Sequence, residues 1–371
     1  MSSAFQRHRR VTIAAAGLLI AGASVTALGL TGTFSSAPKA ATASGERAQY
    51  WTVSKVVTNA TQAPALPAYA YVAAAGGDEV VKVNVAADQI TGTLSDDTGE
   101  GVAVSPDGST VYIADTGQYS VLAANSTTGA ETSIELGAYP QDVTLSPNGS
   151  LLYATVTGGD TGPGGSNVIA VIDTATETVT GDITVGTAPR QVVFSPNGTR
   201  AYVTTEDGIY VIDTATSHVV QVFPNFEDPQ GIAISPNGSM LYVTSPDAGT
   251  LWQINAATGR LIGQVNGGAE PYSVAVTPNG STIYVADMNS NSVDVISAAT
   301  GRVTGSIPVQ GLPMSIAVTP DGSQVWVGNG YTGSISVIST ATNTVTTTIS
   351  GGGQATALNS ALTAIAFGPA S

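Results

Sequence analysis

The sequence predicts an all-β fold, a seven-bladed β-propeller of four-stranded antiparallel blades, closed by pairing the C-terminal strand with the N-terminal three strands. Three observations carry this. A Ser/Thr-Pro-Asx-Gly phrase occurs six times, with its prolines at Pro106, Pro147, Pro196, Pro236, Pro278 and Pro320. The spacings between them are 41, 49, 40, 42 and 42 residues, the period of a four-stranded blade. The two ends of the chain hold complementary fragments of one further repeat.

Each element of the repeat has a local reason. An alternating apolar strand such as Val102-Ala103-Val104 enters the Pro-Asx-Gly turn, and a second strand such as Val111-Tyr112-Ile113 leaves it. Proline presets φ at the first turn position, Asx bonds its own backbone, and glycine supplies positive φ, so the pair reads as a hairpin. A third strand follows (168–172, 210–212, 293–296), then a polar turn of the Asp173-Thr174-Ala175-Thr176 kind, then a fourth strand (179–185, 303–309). β-Branched residues and few helix signals support four strands per repeat. At the N-terminal end, Tyr71-Val72-Ala73, residues 80–85 and residues 90–94 supply strands two to four of a blade lacking its first strand. Residues 365–369 supply a first strand with its turn cut short, and joining the two ends removes both exposed sheet edges.

Ahead of the ring, Arg7, Arg9 and Arg10 precede an apolar run from Val11 to Leu30 and then Ala41-Thr42-Ala43, the pattern of a secretory signal over residues 1–43. Arg9-Arg10 keeps twin-arginine export open beside ordinary secretion, and the run is just long enough to stay as an uncleaved anchor. Residues 44–68, with Pro64 and Pro67, read as a linker, leaving 69–371 as the propeller.

Composition excludes several chemistries. Cysteine is absent, so disulfides, thiolate metal sites and a cysteine nucleophile are ruled out. Loss of residues 1–43 removes four cations, Arg7, Arg9, Arg10 and Lys39, and no acid, taking the net charge from −15 to −19. Such a surface repels phosphate backbones, so nucleic acid is not an expected partner. His218 is the only histidine beyond the signal, which argues against a Ser-His-Asp triad or a multi-histidine metal site. The recurring Tyr112, Tyr153, Tyr202, Tyr242, Tyr284 and Trp326 mark an interblade core.

Three motifs together, Tyr202-Val203-Thr204-Thr205, Tyr242-Val243-Thr244-Ser245 and Tyr284-Val285-Ala286-Asp287, each follow the Pro-Asx-Gly turn. With Val-Ile-Asp-Thr-Ala-Thr at 171–176 and 211–216, they resemble the YVTN β-propeller repeat family over roughly residues 69–369. That resemblance implies a seven-bladed propeller of a kind found in secreted and surface-layer proteins, with a distant likeness to lactonase-like propellers. The motif residues are turn and core residues, so they imply fold rather than activity.

Strand direction puts the uniform turns on one face and the irregular connections, between strands two and three and between consecutive blades, on the other. Function is expected on the irregular face, at the mouth of the central channel. The residue two before each first-strand valine or isoleucine forms a candidate ligand-binding ring: Glu100, Gln141, Arg190, Gln230, Tyr272, Met314 and Thr363. Arg190 is suited to hold a carboxylate or sulfate bidentately, or to pair with a neighbouring acid. Gly-rich segments at 157–167 and 351–360 flank this face as candidate lids. Asp115, Asp287 and Asn329 end second strands and are candidate ligands for a divalent cation such as calcium, with Asp78, Glu79, Asp207, Asp247 and Asn289 nearby. The functional expectation is a monomeric, secreted, non-enzymatic propeller binding a protein or glycan at the cell envelope. The alternative is a lactonase-like hydrolase or lyase with a carboxylate-bound divalent metal at the channel mouth.

Overall fold

The computed structural model describes residues 19–20, 23–24, 66–75, 79–95, 99–158, 167–266, 268–350 and 361–369. The chain divides into two compact units, Met1–Ala63 and Pro64–Ser371. In the first, Leu19–Ile20 pairs antiparallel with Ala23–Ser24, and the rest of the expected signal segment lies outside the described residues. No helix among the described residues is long and apolar enough to cross a membrane.

The second unit consists of seven four-stranded antiparallel sheets. Blades 1 to 6 run in chain order over residues 99–135, 139–184, 192–223, 232–266, 271–308 and 313–350. Blade 7 is composite: Ala361–Phe367 is its inner strand, followed outward by Tyr69–Ala75, Glu79–Asn84 and Gln89–Ser95. The closing register sets Val72 opposite Ile365 and Ala70 opposite Phe367. Of the segment expected as linker, Leu66 packs against the core and the Ala68 carbonyl accepts the Val85 N–H.

The core consists of seven wedges, each shared by two adjacent blades. Second and third strands are therefore buried on both faces and read as continuous apolar runs, such as Val168–Asp173. Fourth strands lie at the rim and are mostly exposed, with one buried residue near the end, such as Ile183 and Ile307. The aromatic series sits in these wedges: Tyr153 packs on Phe194 at 4.7 Å, and Trp326, fully buried, packs edge-on against Phe367 of the closing strand. Lys82 of blade 7 donates to the Ser126 carbonyl of blade 1, tying the two across the closure.

The repeated phrase makes one structure each time. Ser105 Oγ donates to Asp107 Oδ1, which also accepts the Ser109 N–H, while Ser105 Oγ accepts the Thr110 N–H. The same three bonds recur at Ser146, Asn148 and Ser150 and at Ser235, Asn237 and Ser239. Asn148 and Asn237 match glycosylation acceptors, and their side-chain oxygens are spent on holding the turn. Only the glycine of each turn has positive φ, about 70°, which places it after a type I turn in a bulge. Each glycine also touches the preceding blade. A β-carbon on Gly149 would lie 2.6 Å from Pro106 Cδ, and one on Gly108 would lie 2.7 Å from Pro369 Cδ, so the turns form a girdle that the chain's last proline helps close.

Candidate functional site

The ring positions share a structural cause. In blade 2, Pro140 pairs with Val156 and Asp142 with Thr155, so Gln141 has no partner across the ladder. Tyr272, Met314 and Thr363 are skipped in the same way, and Glu100 with Gly101 in blade 1. Arg190 and Gln230 precede shorter inner strands, bonded to Thr204 and Thr244 by the same backbone pattern. A bulge residue is released from the pleat and its side chain is re-aimed, a device common beside binding sites.

The third residue of the Tyr-Val-Thr motif anchors this arrangement. Thr155 Oγ1 donates to the Arg190 carbonyl (3.0 Å), Thr204 to the Gln230 carbonyl (2.9 Å) and Thr244 to the Tyr272 carbonyl (2.8 Å), each reaching into the next blade. The same oxygens accept the N–H groups of Asp142, Gln191 and Gly231 within their own blades. A motif residue thus fixes the backbone of a ring residue in the neighbouring repeat.

Glu100, Arg190 and Tyr272 belong to blades 1, 3 and 5 yet share one electrostatic environment. Burial pushes the Tyr272 hydroxyl up, Arg190 opposes this, and Glu100 adds to it. Burial alone raises Glu100. Arg190 Nη2 lies 2.5 Å from Asp228 Oδ1 and 4.0 Å from Glu206, and Nη1 donates to the Pro229 carbonyl. Of the two roles expected for Arg190, the ion pair is present. It holds the guanidinium in place between Asp228 and the Pro229 carbonyl.

Asp142, which the ring alignment passes over, stands on the inner strand one residue after Gln141. Burial pushes its carboxyl up to about 7, opposed by the N–H groups of Val192 and Val143 and by Thr144. It fits because Gly101 on the neighbouring strand has no side chain; a β-carbon there would lie 2.7 Å from the Asp142 Cα. The signal was available in sequence, since the equivalent residues are Gly101, Gln191, Gly231, Ser273, Ser315 and Ala364, none of them acidic.

The three cation candidates end second strands and are fully buried, but in blades 1, 5 and 6. Asp115 Oδ1 accepts the N–H groups of Gly117 and Gln118, holding its own loop. Asn329 Nδ2 donates to Ser334 and Ser336. Asp287 has Asp294 as a neighbour; burial first and that second charge next push it up to about 7. Among the described residues no group of three or more His, Cys, Asp or Glu is arranged to hold a metal ion. Asp207 accepts the Thr187 N–H. Asp78 and the Gly-rich residues 159–166 and 351–360 lie outside the described residues.

No family model matches the chain, and no curated protein sequence does. Solved structures do match. The protein entitled Kuenenia stuttgartiensis hydrazine synthase superposes with a TM-score of 0.66 at 20% identity, over 77% of this chain and 99% of that one. A functionally unknown protein from Desulfotomaculum acetoxidans superposes with a TM-score of 0.67 at 13% identity, over 82% and 99%. The chain is a seven-bladed β-propeller. At these identities the likeness establishes fold and nothing about chemistry.

Proposed function

We propose that this propeller is a secreted, non-enzymatic binding protein of the YVTN-repeat kind, which holds a protein or glycan at or outside the cell envelope through its channel mouth. One observation carries the reading. The frame repeats closely in every blade, whereas the seven ring side chains are Glu, Gln, Arg, Gln, Tyr, Met and Thr. A uniform scaffold with a non-uniform ring offers one asymmetric ligand a single orientation. The backbone under that ring is pinned by Thr155, Thr204 and Thr244, so little ordering cost falls on binding. The test is capture of isolated envelope material by the full chain and by Gln230→Ala, Tyr272→Ala and Met314→Ala variants. Loss of capture of about tenfold, with unchanged capture by the rim variant Thr304→Ala, is expected. Capture unchanged in all three ring variants refutes the reading.

A second reading draws on Asp142. A carboxyl poised near neutrality, beside an inner strand carrying Glu100, suits a general acid or base in a hydrolase or lyase, with a divalent cation drawn to the same acids. Its test is the thermal midpoint after EDTA and with added calcium, magnesium, manganese or zinc. A rise of several degrees that Glu100→Gln abolishes favours it, and no rise with any ion removes it.

A further inference from the structure

We propose that Tyr119 and Tyr139 form a subsite for one pyranose ring of a neutral glycan, on the same face as the channel mouth. This deepens the binding reading and rests on it. Tyr119 immediately precedes the third strand of blade 1, and Tyr139 opens the inner strand of blade 2, so the two meet across a blade boundary. Their rings pack edge to face at 4.7 Å and 90°, with the hydroxyls 3.2 Å apart. The pair nevertheless stays open to solvent, 41% and 43% exposed, whereas the motif tyrosines of the second strands are buried.

The backbone under Tyr119 supplies an independent reason to look for a role. Residues at the equivalent position in blades 2, 4, 5 and 6 are Asn167, Gly249, Asn291 and Gly333, all with positive φ. Glycine and asparagine adopt that conformation at little cost, and a bulky aromatic does not. Tyr119 is held there at φ 59°, its carbonyl accepting the N–H groups of Leu136 and Gly137. A strained aromatic that is pinned and yet exposed points to use of its side chain.

The chemistry selects the ligand. Two rings at right angles make a corner whose wall matches a pyranose in size and presents an apolar face beside polar hydroxyls, which is the surface that the C–H face and hydroxyls of a sugar require. Tyrosine supplies such a rigid, amphipathic wall with little side-chain entropy to lose. The border is polar: Gly117, Gln118, Gly137 and Gln141 are all exposed. Two half-exposed rings fall far short of the roughly 800 Å² per partner of a stable protein interface. The net charge of −15 disfavours an anionic glycan.

The test uses the full chain, saturation-transfer NMR and four probes: cello-, manno- and chito-oligosaccharides as neutral ligands and oligogalacturonate as the anionic one. Transfer to at least one neutral oligomer and none to oligogalacturonate is expected. Tyr119→Gly, which suits the left-handed backbone, is expected to weaken binding about tenfold without lowering the thermal midpoint. Absence of transfer to every neutral oligomer overturns the proposal, as does binding undiminished in Tyr119→Gly. Sugar binding lost in Tyr272→Ala but kept in Tyr119→Gly overturns this subsite and leaves the mouth reading standing; the reverse pattern supports the subsite and counts against the ring. Capture of an envelope protein through Tyr119 with no sugar signal overturns the assignment to glycans.

Discussion

Replacing Thr244 by valine tests whether the motif threonine holds the site in place. The change keeps shape and removes one hydroxyl. That hydroxyl donates to the Tyr272 carbonyl at 2.8 Å and accepts the Gly231 N–H at 2.8 Å, and Thr244 is fully buried. Valine leaves one acceptor and one donor without partners, each at a cost of about 1–3 kcal/mol, so the expected loss is about 2–6 kcal/mol in all. For a unit of about 300 residues, an unfolding entropy of roughly 2.1 cal/mol/K per residue converts each kcal/mol into about 1.6 °C. The thermal midpoint by circular dichroism should therefore fall by about 3–10 °C. Thr132→Val, on the exposed outer strand of blade 1, should move it by less than about 1 °C. A fall below 1 °C for Thr244→Val would refute the staple, because the carbonyl and N–H would then have found other partners. Ligand capture supplies a second readout, since the variant should weaken binding through the displaced Tyr272 even well below its midpoint.

Three further perturbations follow from the same geometry. Gly149→Ala forces a β-carbon to within 2.6 Å of Pro106 and onto a positive φ, so it should destabilise by roughly 1–3 kcal/mol, whereas Gly181→Ala, with open space and ordinary φ, should stay within about 0.5 kcal/mol; paired denaturant titrations decide. Asp142 and Asp287 both have carboxyls raised to about 7 in the folded chain, so the folded state binds more protons than the unfolded state between about pH 4 and 7. Stability should fall as pH rises through 7 and recover on acidification, with part of that slope missing in Asp287→Asn; a midpoint rising steadily from pH 5 to 8 would contradict this. Ending the chain at residue 360 removes the inner strand of blade 7, which buries Leu362 and lays Phe367 on Trp326, and should replace one cooperative unfolding transition by aggregation or a broad melt, read by calorimetry.

The fold was legible because its signals are local and repeated. Proline, Asx and glycine in each turn do their work within five residues, and six copies spaced by about one blade leave only the closure to infer. The closure was legible too, since Ile365-Ala366-Phe367 supplied the one strand that residues 69–95 lacked. The ring was legible as an alignment, but its cause was not: nothing in Gln141 or Tyr272 announces a bulge, which arises from register across the inner two strands. Asp142 escaped notice because an inner-strand acid reads like any other until Gly101 is seen beside it. The cation candidates illustrate the opposite limit. Asp115, Asp287 and Asn329 occupy one repeat position, and sevenfold repetition that makes residues equivalent also distributes them around a ring: Asp115 holds its own loop, Asn329 bonds Ser334 and Ser336, and Asp287 lies beside Asp294. Tyr119 became conspicuous only when its φ could be compared with those of Gly249 and Gly333.

The measurement that bears most directly on the central claim is hydrogen exchange of the full chain with and without envelope extract. Binding at the channel mouth predicts slowed exchange around the inner-strand bulges at 99–102, 139–142, 271–274 and 313–316 and at residues 189–192 and 229–232, with the outer strands unchanged. Protection confined instead to the outer strands at 178–184, 218–223, 261–266 and 302–308, where Val179, Val220, Leu261, Ile262 and Val303 are exposed, would place the ligand on the rim and contradict the account.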